Sequence, residues 1–69
     1  MNPIEIGQRI KLLRGNMSQA EFANKLGITK SSLAMYERGE RIPRDEVKIR
    51  ISKRCGVSIE SLFFTRIEH

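Results

Sequence analysis

The residues of this chain best equipped for chemistry are its cations. Between Lys30 and Arg54 stand eight of them (Lys30, Arg38, Arg41, Arg44, Lys48, Arg50, Lys53, Arg54) against four acids (Glu37, Glu40, Asp45, Glu46). Over all 69 residues, 13 Lys and Arg face 8 Asp and Glu, for a net charge of +5. A basic surface attracts polyanions, either nucleic acid or anionic lipid. Taken alone, the run is equally the solvated face of a small soluble protein. Catalysis is poorly provided for. Cys55 is the only cysteine, and the only histidine, His69, is distant from it in sequence. No carboxylate pair with a supporting site and no phosphate-cradling glycine loop is visible, and a chain this short lacks room for a sizeable pocket. A lone cysteine makes neither an internal disulfide nor, by itself, a structural zinc site. Cys55 therefore reads as a small buried apolar residue. No enzyme activity, cofactor, metal or small-molecule ligand is expected.

The elements that must carry these cations are helices. Ser18-Gln19-Ala20-Glu21 fits a capping box, in which the Ser18 hydroxyl and the Glu21 carboxylate satisfy each other's backbone N–H groups. Gly27 ends that helix, because glycine takes a left-handed backbone at little cost. Thr29 caps the next helix, about Lys30 to Arg38. Helix, short glycine turn and helix make the outline of a helix-turn-helix, whose second helix can lie in the DNA major groove.

Around this unit, Asn2-Pro3-Ile4-Glu5 starts a first helix, with Asn2 as cap and Pro3 at the first helical position. Ile6, Ile10 and Leu13 share one face of it, and Gly15-Asn16 ends it. The second helix, about Gln19 to Leu26, buries Ala20 or Phe22, with Ala23 and Leu26; the third offers Leu33 and Tyr36 to the core. Glu40 to Pro43 is a loop. From Asp45 to Cys55 two periods compete. Val47, Ile49 and Ile51 alternate like a strand, while Val47, Ile51 and Cys55 repeat like a helix. Helix is favoured, since Asp45 can cap or charge its start and Gly56 can end it. Ser58 caps a short fifth helix with Ile59, Leu62 and Phe63 on its apolar side, and residues 65–69 form a frayed tail. The expectation is an all-α bundle of five helices in one domain over residues 1–69, with a core of about residues 4–64. Nothing resembles a signal segment or a bilayer span, so a reducing cytoplasm suits the chain.

Several ordered pieces resemble the Xre/Cro-type helix-turn-helix family of phage Cro proteins and repressors. They are Leu12-Leu13-Arg14, Met17 to Ala23, Lys25 to Thr29, Tyr36-Glu37-Arg38-Gly39-Glu40, Pro43 and Gly56-Val57-Ser58, and together they cover roughly residues 4 to 64. The resemblance implies a compact five-helix fold of the lambda-repressor type. It further implies a symmetric dimer on a near-palindromic operator in double-stranded DNA. Two departures stand out. The connection from Arg14 to Ser18 is short, and Asp45 and Lys48 stand where the family often has leucine, which bears on how the fourth helix packs.

The resemblance also places the contacts. Lys30, Ser31 and Met35 lie where family members read bases. Lys30 can donate to guanine O6 and N7, Ser31 can donate or accept, and Met35 can pack on a thymine methyl. Lys30 could equally be a phosphate-neutralising lysine. Gln19 matches a glutamine that holds a backbone phosphate, though a plain helix-start residue is the simpler reading. Thr29, Ser32, Arg38, Arg41 and Arg44 flank the face and are expected at phosphates, with a solvated surface charge the alternative for each arginine. Arg14 and Glu37 are expected to form a structural ion pair. Val57, Phe63, Phe64 and Ile67 could finish the core or make a self-complementary dimer patch.

The reading is a DNA-binding transcriptional regulator, a phage or bacterial repressor acting by promoter occlusion. With no effector or self-cleavage domain expected, its signal would come from another protein, from operator competition or from turnover. The rivals are an antitoxin that binds a toxin protein with the same fold, and a protein-interaction module. An antirepressor is a further conceivable partner; a membrane is not.

Overall fold

The computed structural model describes residues 2–64, with side chains described through Leu62. Among the described residues there are five helices and no strand: α1 (Pro3–Arg14), α2 (Gln19–Leu26), α3 (Lys30–Arg38), α4 (Asp45–Cys55) and α5 (Glu60–Phe64). The caps decide where the first three begin. Asn2 Oδ1 accepts from the Glu5 N–H at 2.8 Å, and the Glu5 carboxylate accepts from the Asn2 N–H at 3.2 Å. Ser18 and Glu21 make the same reciprocal pair, at 3.1 Å in both directions. Thr29 Oγ1 accepts from the Ser32 N–H at 3.0 Å. At α4 the cap position is occupied by Arg44, with no side-chain cap bond. Asp45 is instead the first helical residue, where its charge and that of Glu46 favour the positive helix end. The Ser61 N–H donates to Ser58 Oγ at 2.9 Å, so Ser58 caps α5, which winds more widely than an α-helix.

The core draws on every helix: Ile6 and Ile10; Phe22, Ala23 and Leu26; Leu33 and Tyr36; Val47 and Ile51; Leu62. Phe22 rather than Ala20 is the buried member of α2; Ala20 is exposed. In α4 the four-residue repeat wins over the alternation. Val47 and Ile51 are buried, whereas Ile49 is 42% exposed. Cys55 and Leu13 are half-buried at the edge of the core rather than inside it, each near its helix's end. Burial raises the Cys55 thiol above its ordinary range, and nearby Arg54 pulls slightly the other way.

Two contacts fix how α1 sits. Gly7 is buried against the last turn of α3. A Cβ there would collide with the carbonyl of Tyr36 and lie 2.7 Å from that of Glu37. At the other end, Arg9 Nη1 donates to the Ser61 carbonyl at 2.8 Å and the Leu62 carbonyl at 3.3 Å, tying α5 to α1. Among the described residues, no helix is long and apolar enough to cross a membrane. The tail from residue 65, and with it Ile67, lies outside the described residues, as do the side chains of Phe63 and Phe64.

Candidate nucleic-acid interface

The site is built on α2, the turn after it and α3. α3 is held from behind. Its Leu33 and Tyr36 are sunk in the core, and its last turn carries Glu37, whose side chain is 4% exposed. Arg14 meets Glu37 with a two-pronged contact, Nε to Oε2 at 2.7 Å and Nη2 to Oε1 at 3.1 Å. This planar fork is what guanidinium and carboxylate do best. The hydrogen bond to Glu37 holds Arg14 still more firmly protonated than usual, against the opposing pull of desolvation. Arg14 Nη1 also donates to the Met17 carbonyl at 2.8 Å, and so fastens the α1–α2 connection. The ion pair expected between Arg14 and Glu37 is therefore present.

Gln19 joins the same network. Its Nε2 donates to Glu37 Oε1 at 3.0 Å, which links the start of α2 to the end of α3. The sequence pattern offers Gln19 a phosphate or a plain helix start. In the structure its amide nitrogen serves α3, and the side chain is half-buried. A donor to a neighbouring helix eighteen residues away leaves no trace in local spacing.

The opposite side of α3 faces out. Thr29, Lys30 and Ser31 are exposed; Ser32 and Met35 are half-buried. Thr29 Oγ1 and Ser32 Oγ share a hydrogen bond at 2.9 Å, which leaves one hydroxyl proton of the pair to offer outward. Lys30 is unusual for its place. The first turns of α1, α2 and α4 carry Glu5, Glu21 and the pair Asp45 and Glu46, whereas that of α3 carries no acid. A helix start prefers an anion. A lysine there works against the helix and for an external anion, and α3 bears that cost at the residue predicted to read DNA.

The remaining cations lie at the other end of α3 and beyond it. Arg38 is exposed and pairs with exposed Glu40, Nε to Oε2 at 2.7 Å and Nη2 to Oε1 at 3.1 Å. That hydrogen bond pushes Arg38 up and holds the Glu40 carboxyl below the usual carboxylate range. Arg41 and Arg44 are exposed in the loop and at the start of α4. Val57 is half-buried against the core. Among the described residues no group of three or more His, Cys, Asp or Glu could hold a metal ion.

The helix-turn-helix family pattern matches residues 9–62. This chain belongs to the helix-turn-helix family. An HTH-type transcriptional regulator of Methanocaldococcus jannaschii, itself uncharacterized, is 33% identical over 48 residues, covering 70% of this chain and 73% of that protein. Two solved structures share the fold. The restriction-modification controller protein C.AhdI from Aeromonas hydrophila superposes with a TM-score of 0.78 at 25% identity, over 88% of this chain and 96% of the other. The DNA-binding domain of the P22 c2 repressor does so at 0.77 and 28% identity, over 90% and 84%. The five-helix, lambda-repressor-like fold expected from the sequence is thus the fold observed.

Proposed function

We propose that this helix-turn-helix protein is a sequence-specific DNA-binding transcription regulator that represses by occupying an operator as a dimer. The observation that carries the reading is the outward face of α3. Its first turn is free of acids and exposes Lys30 and Ser31, while Leu33 and Tyr36 on the opposite side sink into the core. In this reading Lys30 and Ser31 meet base edges and Met35 packs on a thymine methyl. Thr29, Ser32, Arg38, Arg41 and Arg44 follow the phosphates, and Gln19, with one amide proton held by Glu37, turns the other to a phosphate. These contacts set register and carry little sequence information. With one strong polar reader, one weak one and an apolar third, specificity leans on thymine methyls and DNA shape. The reading is of a binding protein, not a catalyst. Its relatives include a transcriptional regulator, a controller protein and a repressor domain.

Val57, Phe63, Phe64 and Ile67 are the residues assigned to a self-complementary dimer patch; their apolar character supports this. Phe64→Ala should loosen the dimer and lower cooperativity on DNA, and unchanged sedimentation together with unchanged cooperativity would move the patch elsewhere. The experiment for the whole reading is selection of bound duplexes from random DNA. Enrichment of near-palindromes with half-sites one helical turn apart, ~34 Å, is expected. No enrichment over input DNA would remove sequence-specific binding.

A further inference from the structure

Arg50 does not figure among the residues that sequence pattern assigns to the interface, yet it touches the hinge of the helix-turn-helix. From α4 its Nη1 donates to the carbonyls of Leu26, at 3.3 Å, and of Gly27, at 3.4 Å. The glycine cap leaves those two oxygens over. Its own N–H and that of Ile28 serve Asn24 at 3.1 Å and Ala23 at 3.0 Å instead. A cation also suits the spot, because the last carbonyls of a helix carry partial negative charge. The fit is close: a Cβ on Gly27 would stand 3.1 Å from Arg50 Nη1. Gly27 itself sits at φ 70°, where side chains are disfavoured.

Two residues beyond that glycine stands Thr29, the cap of α3, followed by Lys30 and Ser31. Whatever fixes the Gly27 peptide fixes the direction in which α3 leaves the turn. Arg50 is exposed, and α4 is anchored without it by Val47 and Ile51. Its bonds go to the turn, not to the apolar core.

We propose that Arg50 is a positioning residue for DNA reading, a guanidinium from α4 that braces the α2–α3 turn and so sets where Lys30 and Ser31 enter the groove. The proposal rests on the DNA-binding reading above. Arg50→Gln and Arg50→Lys test it in the full chain. The probes are the duplex that the wild-type chain selects from random DNA and a scrambled duplex of the same composition. Each is titrated over a range of salt, alongside thermal unfolding and amide exchange of Ile28.

Arg50→Gln is expected to bind the selected duplex about tenfold more weakly, as befits a misaligned base contact. It should lose little on the scrambled duplex, keep the wild-type salt slope, and exchange the Ile28 amide several-fold faster with a nearly unchanged Tm. Arg50→Lys keeps the cation but ends in a donor placed differently from Nη1, and should recover scrambled binding fully and selected binding in part. Equal affinity of wild type and Arg50→Gln for the selected duplex overturns the proposal. So does unchanged Ile28 exchange. A parallel loss on both duplexes with the salt slope lowered by ~0.9 would make Arg50 a phosphate contact and also overturn it. An unfolded Arg50→Gln beside an Arg50→Lys that binds like wild type would do the same. Failure of the wild-type chain to select any duplex would instead sink the DNA-binding reading.

Discussion

Two arginine–glutamate pairs in this protein have the same shape. Arg14 with Glu37, and Arg38 with Glu40, each close through Nε at 2.7 Å and Nη2 at 3.1 Å. Their surroundings differ. The side chains of the first pair are 16% and 4% exposed, those of the second 58% and 53%. The first pair also carries Gln19 and the Met17 carbonyl, whereas the second spans two residues at the end of α3. Bond length alone therefore says little about role. The shielded pair joins α1, α2 and α3 and sets where α3 lies. The open pair shares its charges with water, and Arg38 stays exposed beside it.

Substitutions separate the two pairs. The largest effect is expected at the shielded one. Glu37→Ala leaves Arg14 uncompensated and should cost ~3–5 kcal/mol of unfolding free energy, read by denaturant titration. A loss no greater than that of Glu40→Gln would erase the distinction. Joint replacement of Arg14 and Glu37 by apolar residues of similar size should cost much less than Glu37→Ala, since such a pair costs more to break than it contributes when made. Next comes Lys30→Ala, expected to lose ~1–3 kcal/mol on the selected duplex while the protein folds normally. Unchanged affinity and unchanged base preference would take Lys30 out of the reading face. Arg41→Ala should weaken selected and scrambled duplexes alike and flatten the salt dependence by ~0.9 for the phosphate it no longer neutralises. Weaker binding at a single base position with the slope intact would contradict it.

The smallest effect belongs to the open pair. Glu40→Gln should leave the Tm unchanged within error, because exposed pairs contribute little. The sign of any residue of stability is set by the depressed Glu40 carboxyl. Its contribution is present above the ordinary carboxylate range and fades as the pH falls through the depressed value. A Tm gap between wild type and Glu40→Gln at neutral pH that persists below that value would place its cause elsewhere.

What could be seen in the sequence was whatever is local. Caps and glycine ends placed α1, α2 and α3, since Asn2, Ser18, Thr29 and Gly27 act on groups three or four residues away. In α4 Asp45 and Gly56 tilt the competing strand and helix periods toward helix, and the core agrees, since Ile49 stays outside while Val47 and Ile51 are buried. Cys55 lies shallower than its apolar character suggests, because helix ends fall at the margin of so small a core. The polar ties from Gln19 to Glu37, Arg50 to the turn and Arg9 to α5 join residues 18, 24 and 52 apart. Each uses an ordinary surface residue type, so neither composition nor period marks it. Arg14 and Glu37 were reached only through family resemblance. The cations at the candidate site were visible as charge, and the acid-free first turn of α3 could have been read from the same residues.

Gly7 carries one more consequence. With no side chain, it lets α1 lie directly on the carbonyls of Tyr36 and Glu37, so α3 is gripped at one end while the other end projects. The residues that grip and the residues that project are different ones. On the proposed reading, a library varied at positions 30, 31 and 35, with 7, 14 and 37 held, is expected to alter binding preference while keeping the scaffold. The same arrangement would let descendants of one ancestral chain drift to new target sequences by surface substitutions alone.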